Sequence, residues 1–392
     1  MTEPSLTARF HVRIDDIPAD QWDTLVPTNA PHLQHAFLAL AERSGSVSEA
    51  SGWLPCHLTL HAGDELVGAM PLYQKAHSWG EFVFDWSWAD AYRRAGLDYY
   101  PKLLSAAPYT PATVSKLLVA TNHPDAAALR RTLLNAALEF ARQQGFSSLH
   151  LQFISDQDVQ AANAADWIIR EDCQFHWHNN GYTSFEHYLD QFSSKKRKNV
   201  NRERRRVREA GIRHTIVAGT DISEQQMRDA WRLCSYTFAA RGGMPYLNLE
   251  FFLALLDNAP ATLALVLATD DGRPVAAAIL LTAGDTLLGR YWGSEGDYHS
   301  LHFETCYYQG IEYCIANGLQ RFEPGTQGEH KVSRGFLPVK TRSAHWLAQP
   351  EFAAAIGDYV EREAQGVAGY MQQIEARTPF RRGERQGSVK KP

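Results

Sequence analysis

The sequence has few cysteines, and their positions fit neither a disulfide framework nor a zinc ribbon. No CxxC pair occurs, and the five cysteines are scattered along the chain: Cys56, Cys173, Cys234, Cys306 and Cys314. No apolar stretch approaches the roughly 20 residues of a membrane span. The N-terminus also has no apolar run of signal-peptide length. We therefore predict a soluble, cytoplasmic protein with no membrane span.

An excess of positive charge is also missing. The 39 basic and 44 acidic residues leave a net charge of −5, so the charge of the whole chain indicates neither nucleic-acid nor membrane-surface binding. HExxH-type spacing is absent, and we expect no bound metal. Apolar residues are abundant, at 44% of the sequence, and they are enough to build a core. At 392 residues the chain can form two domains.

The second half of the chain repeats the order of elements in the first. Two strands joined by a short polar turn are predicted at 58–73 and again at 265–282, where the turn lies at 270–272. A helix, a glycine stop and a strand are predicted at 137–152 and again at 310–325. The repeat indicates two copies of one α/β domain.

Each copy also contains one further strand, which we place near 80–86 in the first half and at 286–292 in the second. This order of elements predicts a mixed central sheet flanked by helices in each domain. We divide the chain into a first domain at 1–165, a second at 166–380 and a basic, disordered tail at 381–392.

The stretch RFEPGTQGEHKVSRGF (321–336) concentrates titratable side chains among three glycines. A core strand would not carry so many charges, and a disordered segment would not be bounded by two phenylalanines. The pattern predicts an ordered polar loop after a buried strand, which is a common place for chemistry in α/β proteins. A solvated, salt-bridged surface loop is the alternative.

A helix is predicted at 301–318, and it begins beside this loop. Convergence of the helix start with the loop would form a general acid/base set that removes a proton from an attacking amine. Its members are Glu323, Glu329, His330, His302 and Glu304. Two alternatives remain: a metal site formed by the histidines and glutamates, and a nucleophilic pair of Cys306 with His302. Cys306 lies on the apolar face of the helix, which favours a packed core thiol.

Several further residues are candidates for binding. Arg241 and Tyr246 belong to a Gly-rich segment that follows a helix, and such an arginine often binds a carboxylate or phosphate. Lys331 and Arg334 would position anionic groups in the same way. In the first half, an aromatic stretch at 84–103 could line a pocket or simply pack between domains. Its candidate residues are Asp85, Trp86 and Tyr92.

A strongly basic run, KKRKNVNRERRRVR, occupies 195–208. Val200 and Val207 fall near one face at helical spacing, so the run predicts an amphipathic helix. Phosphate binding, to a nucleotide, a tRNA backbone or a lipid headgroup, would explain so much like charge. A solvated helix face is the alternative. The candidate phosphate ligands are Lys195, Arg197, Lys198, Arg202 and Arg205.

Four stretches together resemble the FemAB-like bacterial proteins of the GNAT acyltransferase superfamily, over about residues 10–380. They are GEFVFDWSWADAY (80–92), YYPKL (99–103), SSKKRKNVNRERR (193–205) and the polar loop at 321–336. The resemblance implies tandem GNAT-like domains and transfer of an acyl or aminoacyl group to an amine. It also implies that acyl-CoA or aminoacyl-tRNA acts as co-substrate, and we expect no tightly bound cofactor.

One segment departs from the GNAT pattern. Acyl-CoA-dependent members cradle the pyrophosphate with a basic, Gly-containing loop, and here that position holds WGSEGDYHSLHF (292–303). Glu295 and Asp297 would repel the anion. The basic helix at 195–208 suits a tRNA donor better, and an acidic acyl carrier protein is a third donor. The alternative to catalysis is a GNAT-fold protein that binds RNA or an anionic cell-wall precursor.

Overall fold

The computed structural model describes residues 6–120, 122–326 and 328–381. Its strands are β1 (Leu6–His11), β2 (Trp53–Pro55), β3 (His57–Ala62), β4 (Glu65–Met70), β5 (Tyr73–Lys75), β6 (Lys102–Ser105), β7 (Ser148–Leu151), β8 (Ile168–His178), β9 (Arg213–Ala218), β10 (Leu263–Asp270), β11 (Arg273–Ala283), β12 (Thr286–Ser294), β13 (Arg321–Glu323) and β14 (Leu337–Leu347).

Helices and strands are interspersed along the chain, as in other mixed α/β proteins. They are α1 (Ala19–Leu25), α2 (His35–Arg43), α3 (Trp86–Arg94), α4 (Ala126–Gln144), α5 (Asp156–Asn163), α6 (Phe185–Asp190), α7 (Ser194–Glu209), α8 (Glu224–Ala239), α9 (Leu249–Asn258), α10 (Leu301–Phe303), α11 (Gln309–Ala316) and α12 (Pro350–Glu375). In the described ranges, no helix is both long and apolar enough to cross a membrane.

The chain forms two compact units that exchange segments. Unit 1 contains residues 1–173, 246–254 and 340–368, and unit 2 contains 174–245, 255–339 and 369–392. The sequence division at 165/166 does not anticipate this exchange, because an internal repeat carries no information about later segments that return to the first unit. Of the predicted tail, only Arg381 lies within the described residues.

In unit 1, β1, β3 and β4 form a small antiparallel sheet. A second sheet runs in the order β2, β5, β6, β7, β14, with β6 and β7 parallel and the other pairs antiparallel. Helix α4 packs its apolar stripe, including Leu133 and Ala137, into a core with Leu58 and Leu149. It ends at Gly145, whose φ of +73° confirms the predicted glycine stop.

In unit 2, the sheet order is β13, β12, β11, β10, β9, and β8 pairs antiparallel with β13. The predicted hairpin at 265–282 is confirmed as β10 and β11, and the strand at 286–292 is confirmed as β12. The predicted helix at 301–318 is present, but Glu304–Tyr308 within it is a π-helical turn. Such turns are rare and often occur at functional sites.

One predicted strand is wrong. The segment near 80–86 forms a loop that leads into α3, although it carries the strand-favouring residues Phe82, Val83 and Phe84 in a row. The physical reason is a contact with a more distant part of the chain: Glu81 and Asp85 bond the buried Lys102, and this interaction holds the segment in a compact turn. Residue type in the segment itself cannot reveal such a partner.

Candidate active site in unit 2

The polar loop contains a short, compact element. Strand β13 ends at Glu323, and a 3-10 helix follows over Glu329–Arg334. Gly328 and Gly335 lie on either side of this helix with φ of +117° and +86°, values that favour glycine. Space is limiting too, because a Cβ on Gly335 would lie 1.8 Å from the Tyr188 hydroxyl oxygen. The backbone conformation and the packing at both ends of this short helix therefore favour glycine.

Lys331 is the most unusual side chain of this loop. It is 2% exposed, and its Nζ donates a hydrogen bond to the backbone oxygen of Gly325 at 2.7 Å. No carboxylate in the described part of the chain forms an ion pair with it. Burial lowers the pKa of Lys331 from 10.5 to about 7. The amine can therefore gain or lose its proton near neutral pH.

His330 and Tyr307 form a hydrogen-bonded pair next to Lys331. The distance between His330 Nε2 and the Tyr307 hydroxyl oxygen is 2.8 Å. His302 lies beside both, with ring centroids 5.8 Å from His330 and 5.3 Å from Tyr307. Burial, followed by the nearby charges of Lys331 and Arg334, lowers the pKa of His330 below its ordinary value. The imidazole is thus neutral at pH 7 and can accept a proton.

His302 has the same electrostatic surroundings but is more buried. Burial, with repulsion from His330 and Arg334, lowers the pKa of His302 to about 4. Burial also raises the pKa of the Tyr307 hydroxyl well above 10, so this group stays protonated. The structure therefore brings His302 and His330 together, as the predicted convergence of helix and loop requires.

Arg334 holds the 3-10 helix in place. Its guanidinium lies 3.3 Å from the Phe303 ring centroid, donates to the His330 carbonyl at 2.7 Å and donates to Glu203 Oε1 at 2.8 Å. The Tyr188 hydroxyl in turn donates to the Arg334 carbonyl at 2.6 Å. All these contacts are within unit 2. Arg334 is therefore engaged by protein groups and fixes the position of His330.

The three candidate glutamates differ in their surroundings. Glu304 accepts from Arg204 Nε at 3.1 Å through both oxygens and from Gln309 at 2.8 Å. Glu323 is buried and forms an ion pair with Arg321 at 3.0 Å. In both cases the carboxylate is already engaged by an arginine of the same unit. These contacts favour structural roles for Glu304 and Glu323.

The remaining candidates of the set lie at its edges. Glu329 is largely exposed, 3.8 Å from Arg377. Burial raises the pKa of the Cys306 thiol well above its ordinary value, so the thiol stays protonated, which does not favour the nucleophile alternative. No group of three His, Cys, Asp or Glu side chains in the described ranges could hold a metal ion. Gln327 of the loop lies outside those ranges.

Two residues of this site were not recognised in the sequence. Tyr307 falls on the apolar face of the helix at helical spacing, but a buried tyrosine needs a hydrogen-bond partner, and that rule would have directed attention to its hydroxyl. Glu203 is the single acid inside the basic run, and its carboxylate bonds both Arg334 and the Tyr308 hydroxyl. A lone acid among many bases is a sequence signal for an internal ion pair.

The basic run forms α7, which confirms the predicted amphipathic helix. Val200 and Val207 are buried on one face. Arg204, on the same side, contacts Glu304 and donates to Glu312 at 2.8 and 2.9 Å, so one arginine of the run is structural. Four predicted phosphate ligands recur every three or four residues and are exposed on the opposite face: Lys195, Lys198, Arg202 and Arg205.

The other predicted ligands are distributed between the two units. Arg197 is 2.9 Å from Asp190. Arg241 is exposed and contributes to lowering the pKa of His302. Tyr246 belongs to unit 1, where it stacks on Tyr109 with ring centroids 5.1 Å apart. The structure therefore separates Arg241 and Tyr246 into different units, although they are close in sequence.

The predicted aromatic wall of unit 1 is also divided. Asp85 is buried and bonded to Lys102 and to the Tyr99 hydroxyl, which donates at 2.7 Å. Trp86 is partly exposed at the start of α3. Tyr92 is buried and lines a cavity of about 630 Å³ within unit 1.

Gly293, in the segment where a CoA-binding loop would lie, has a packing role. A Cβ at this position would be 2.0 Å from the Leu233 carbonyl oxygen, so glycine lets α8 approach β12 closely. Glu295 accepts from Arg273 at 2.6 Å and also lies 3.6 Å from Arg232. The charge of Glu295 is thus partly neutralised by nearby arginines.

Comparison with known proteins identifies the family. The FemAB-like family model, described as peptidoglycan biosynthesis/recognition, matches residues 13–382. A search of curated proteins gives no match. Among solved structures, FemX is 10% identical with a TM-score of 0.48, covering 79% of this chain and 92% of its own. A tandem GNAT protein from the clavulanic acid biosynthesis pathway is 12% identical with a TM-score of 0.46, covering 88% and 99%.

A conserved protein of unknown function from Bacteroides thetaiotaomicron is 10% identical, with a TM-score of 0.50, and the alignment covers 86% of this chain and 99% of that one. At such identities, structural likeness concerns the fold alone. The family match extends over nearly the whole chain and confirms the FemAB-like resemblance seen in the sequence. The mixed sheets flanked by helices confirm the predicted α/β fold class. The chain belongs to the FemAB-like family.

Proposed function

We propose that this protein transfers an acyl or aminoacyl group from a thioester or an aminoacyl-tRNA to an amine acceptor, with the chemistry in unit 2. The family supports acyl or aminoacyl transfer in general. The observation that carries the assignment is the cluster of Lys331, His330 and Tyr307, which places a neutral base next to a buried amine. A cytoplasmic location stays a prediction.

The cluster supplies both functions that the reaction needs. When His330 Nε2–H donates to the Tyr307 hydroxyl, Nδ1 keeps its lone pair and can take the proton of the attacking amine. The ammonium of Lys331 stabilises the negative charge that develops on the carbonyl oxygen. The tetrahedral intermediate then expels the thiolate or the tRNA hydroxyl, which receives the proton from His330. Tyr307 and Arg334 keep the imidazole in position.

The exposed face of α7 supports a tRNA donor. Its four unburied cations are spaced along one side of a 16-residue helix, which suits a regular array of phosphates. Glu295 and Asp297 occupy the position of a CoA cradle and do not favour a pyrophosphate there. A FemAB-like family member would use an amine-bearing precursor as acceptor. The bound acyl group arrives with the co-substrate, so no resident cofactor is needed.

The decisive experiment compares donors directly. Purified protein is incubated with radiolabelled aminoacyl-tRNA or with acetyl-CoA, together with a peptidoglycan precursor that bears a free side-chain amine. We expect product from aminoacyl-tRNA, and a loss of at least about 100-fold in kcat for Lys331→Met, the usual cost of losing one oxyanion contact. Glu323→Gln and Glu329→Gln, alone and combined, should retain activity. If Lys331→Met remained fully active, the assignment of this site would be wrong.

Binding without turnover would favour the second candidate function, a non-catalytic RNA-binding protein. This reading rests on α7 alone. Neutralising Lys195, Lys198, Arg202 and Arg205 together should weaken tRNA binding and reduce the slope of log K against log salt by about 3. The control variant carries Arg228→Gln and Arg273→Gln, which neutralise two exposed arginines outside α7. It removes half as many positive charges as the α7 variant.

A further inference from the structure

Two buried lysines lie opposite each other in unit 1. Lys75 and Lys102 are paired across the antiparallel strands β5 and β6, and both are 0% exposed. Like charges in directly opposite positions destabilise a sheet, and a buried ammonium needs compensating partners. The partners of Lys102 come from one segment, 78–85, whereas Lys75 donates to the Gly52 carbonyl oxygen at 3.0 Å and contacts the same segment at Trp79. The pair therefore ties this loop to the sheet.

Lys102 holds the loop through side chains. Its Nζ donates to Ser78 Oγ at 2.8 Å and to Glu81 Oε2 at 2.9 Å, and it also contacts Asp85. Gln152 adds a hydrogen bond to Glu81 at 2.9 Å. The loop is thus anchored to one ammonium near its beginning, its middle and its end.

Lys75 contacts the backbone of the loop. Its Nζ lies 3.4 Å from the Trp79 carbonyl oxygen, which also accepts from the Trp53 indole nitrogen at 3.3 Å. Gly80 follows with φ of +80°, and a Cβ there would lie 2.5 Å from the Tyr109 ring. The backbone at Trp79 is therefore fixed by buried donors on one side and by close packing on the other.

This anchored loop presents two tryptophans to the outside. Trp79 is 59% exposed and Trp86 is 38% exposed, and their rings meet edge to face with centroids 5.1 Å apart. Two large aromatic side chains exposed side by side offer an apolar surface that a ligand can cover. Because the backbone around both residues is fixed, little conformational entropy is lost when a ligand binds, which matters for weak ligands.

The charges around the tryptophans indicate what kind of ligand fits. The charged side chains that follow Trp86 are Asp90, Arg93, Arg94 and Asp98, all exposed and balanced two against two. Asp90 and Arg93 are 2.7 Å apart and lie on the same helix face as Trp86, four and seven residues along α3. This surface therefore lacks the cationic excess of α7 that polyanions need.

We propose that Trp79 and Trp86 form a binding site for an uncharged oligosaccharide. The C–H groups of a pyranose ring carry partial positive charge and stack on the electron-rich face of an indole. Asp90 and Arg93 can exchange hydrogen bonds with the sugar hydroxyls. The site belongs to unit 1 and does not depend on the transferase chemistry proposed for unit 2, so either proposal can fail alone.

The test is titration of the full-length protein with chitotetraose and with cellotetraose. Calorimetry and the NMR signals of the indole N–H groups report binding. We expect millimolar or tighter binding of at least one sugar. Trp79→Ala and Trp86→Ala should each weaken it tenfold or more. The matched control is Tyr236→Ala, which changes a comparably exposed aromatic residue of unit 2. This substitution should leave sugar binding unchanged.

The anchoring is tested with Ser78→Ala, which removes one neutral partner of Lys102 and leaves both carboxylates in place. We expect weaker sugar binding with the overall fold retained, as judged by circular dichroism. The proposal is overturned if neither sugar binds at concentrations up to about 10 mM, a practical upper limit for detecting such weak contacts. It is also overturned if binding survives both tryptophan substitutions. Tryptophan-dependent binding of anionic vesicles or single-stranded RNA, in place of sugar, would also overturn it.

Discussion

Buried lysines occur in both units, but their surroundings differ. In unit 1, burial alone would lower the pKa of Lys102, yet Asp85 and Glu81 raise it above its ordinary value. In unit 2, Lys331 has a backbone carbonyl as partner, and burial lowers its pKa to about 7. The difference shows how one fold uses the same residue type either as a structural cation or as a group that titrates near neutral pH.

The largest expected effect separates these two roles by stability. Lys102→Met leaves Glu81 and Asp85 buried without their cation and should lower the free energy of unfolding by about 3–5 kcal/mol. Lys331→Met leaves no carboxylate uncompensated and should change it by less than about 1 kcal/mol, or raise it. Urea unfolding at pH 7 measures both. Equal destabilisation by the two substitutions would remove the distinction between Lys102 and Lys331.

A smaller effect tests how space is used around His330. A Cβ on Gly328 would lie 2.4 Å from His330 Cε1, whereas a Cβ on Gly325 would meet nothing within 4 Å, and both residues have positive φ. Each Gly→Ala change therefore brings backbone strain of about 1–3 kcal/mol. We expect only Gly328→Ala to displace the imidazole and to reduce transfer at least tenfold. Equal loss of activity in both variants would mean that strain alone is responsible.

The pH dependence of stability offers a third test. The pKa values of Lys75 and Lys331 are about 7 in the folded protein against 10.5 ordinarily, so the unfolded chain binds more protons between these values. Their contribution to the free energy of unfolding therefore rises with pH from about 7 to 10.5, by up to about 1.4 kcal/mol per unit for each lysine. Lys331→Met should flatten this rise relative to the wild type. Parallel curves would contradict the lowered pKa.

The smallest expected effect concerns the hydrogen bond between Tyr307 and His330. Tyr307→Phe removes about 0.5–1.5 kcal/mol of interaction and should reduce kcat modestly. In the wild type, activity should rise as His330 loses its proton below pH 6.5 and fall as Lys331 loses its own near pH 7. Tyr307→Phe should move only the acid side of this profile. A shift of the alkaline side would place Tyr307 with Lys331 instead.

Much of the fold could be predicted because it follows from local pattern. The hairpin β10–β11, the Gly145 stop at the end of α4 and the amphipathic α7 all appear where periodicity and glycine placed them, although α4 begins earlier than predicted, at Ala126. The loop at 80–86 could not be predicted, because its conformation depends on Lys102. Exchange of segments between the units likewise leaves no periodic signal in the sequence.

The sequence predicted where the candidate site lies, but it did not predict the role of each residue in it. The concentration of charge at 321–336 located it, but the sequence could not rank the five candidate acid/base groups of this loop and of the helix before it. Contacts from distant parts of the chain distinguish them: Arg204 engages Glu304, Arg321 engages Glu323, and Tyr307 bonds His330. Sequence spacing contains none of these distances.

The sequence by itself determined the repeated α/β pattern, the basic face of α7 and the presence of reactive groups next to β13. These features depend on residue type and on short-range spacing, which the chain carries wherever it folds. Tertiary structure decided which buried charged side chains have a partner of opposite charge and which do not. A pKa is set by burial and by neighbouring charge, and both are fixed only when residues far apart in sequence come into contact. That is why Lys102 and Lys331, two lysines of identical chemistry, have opposite roles.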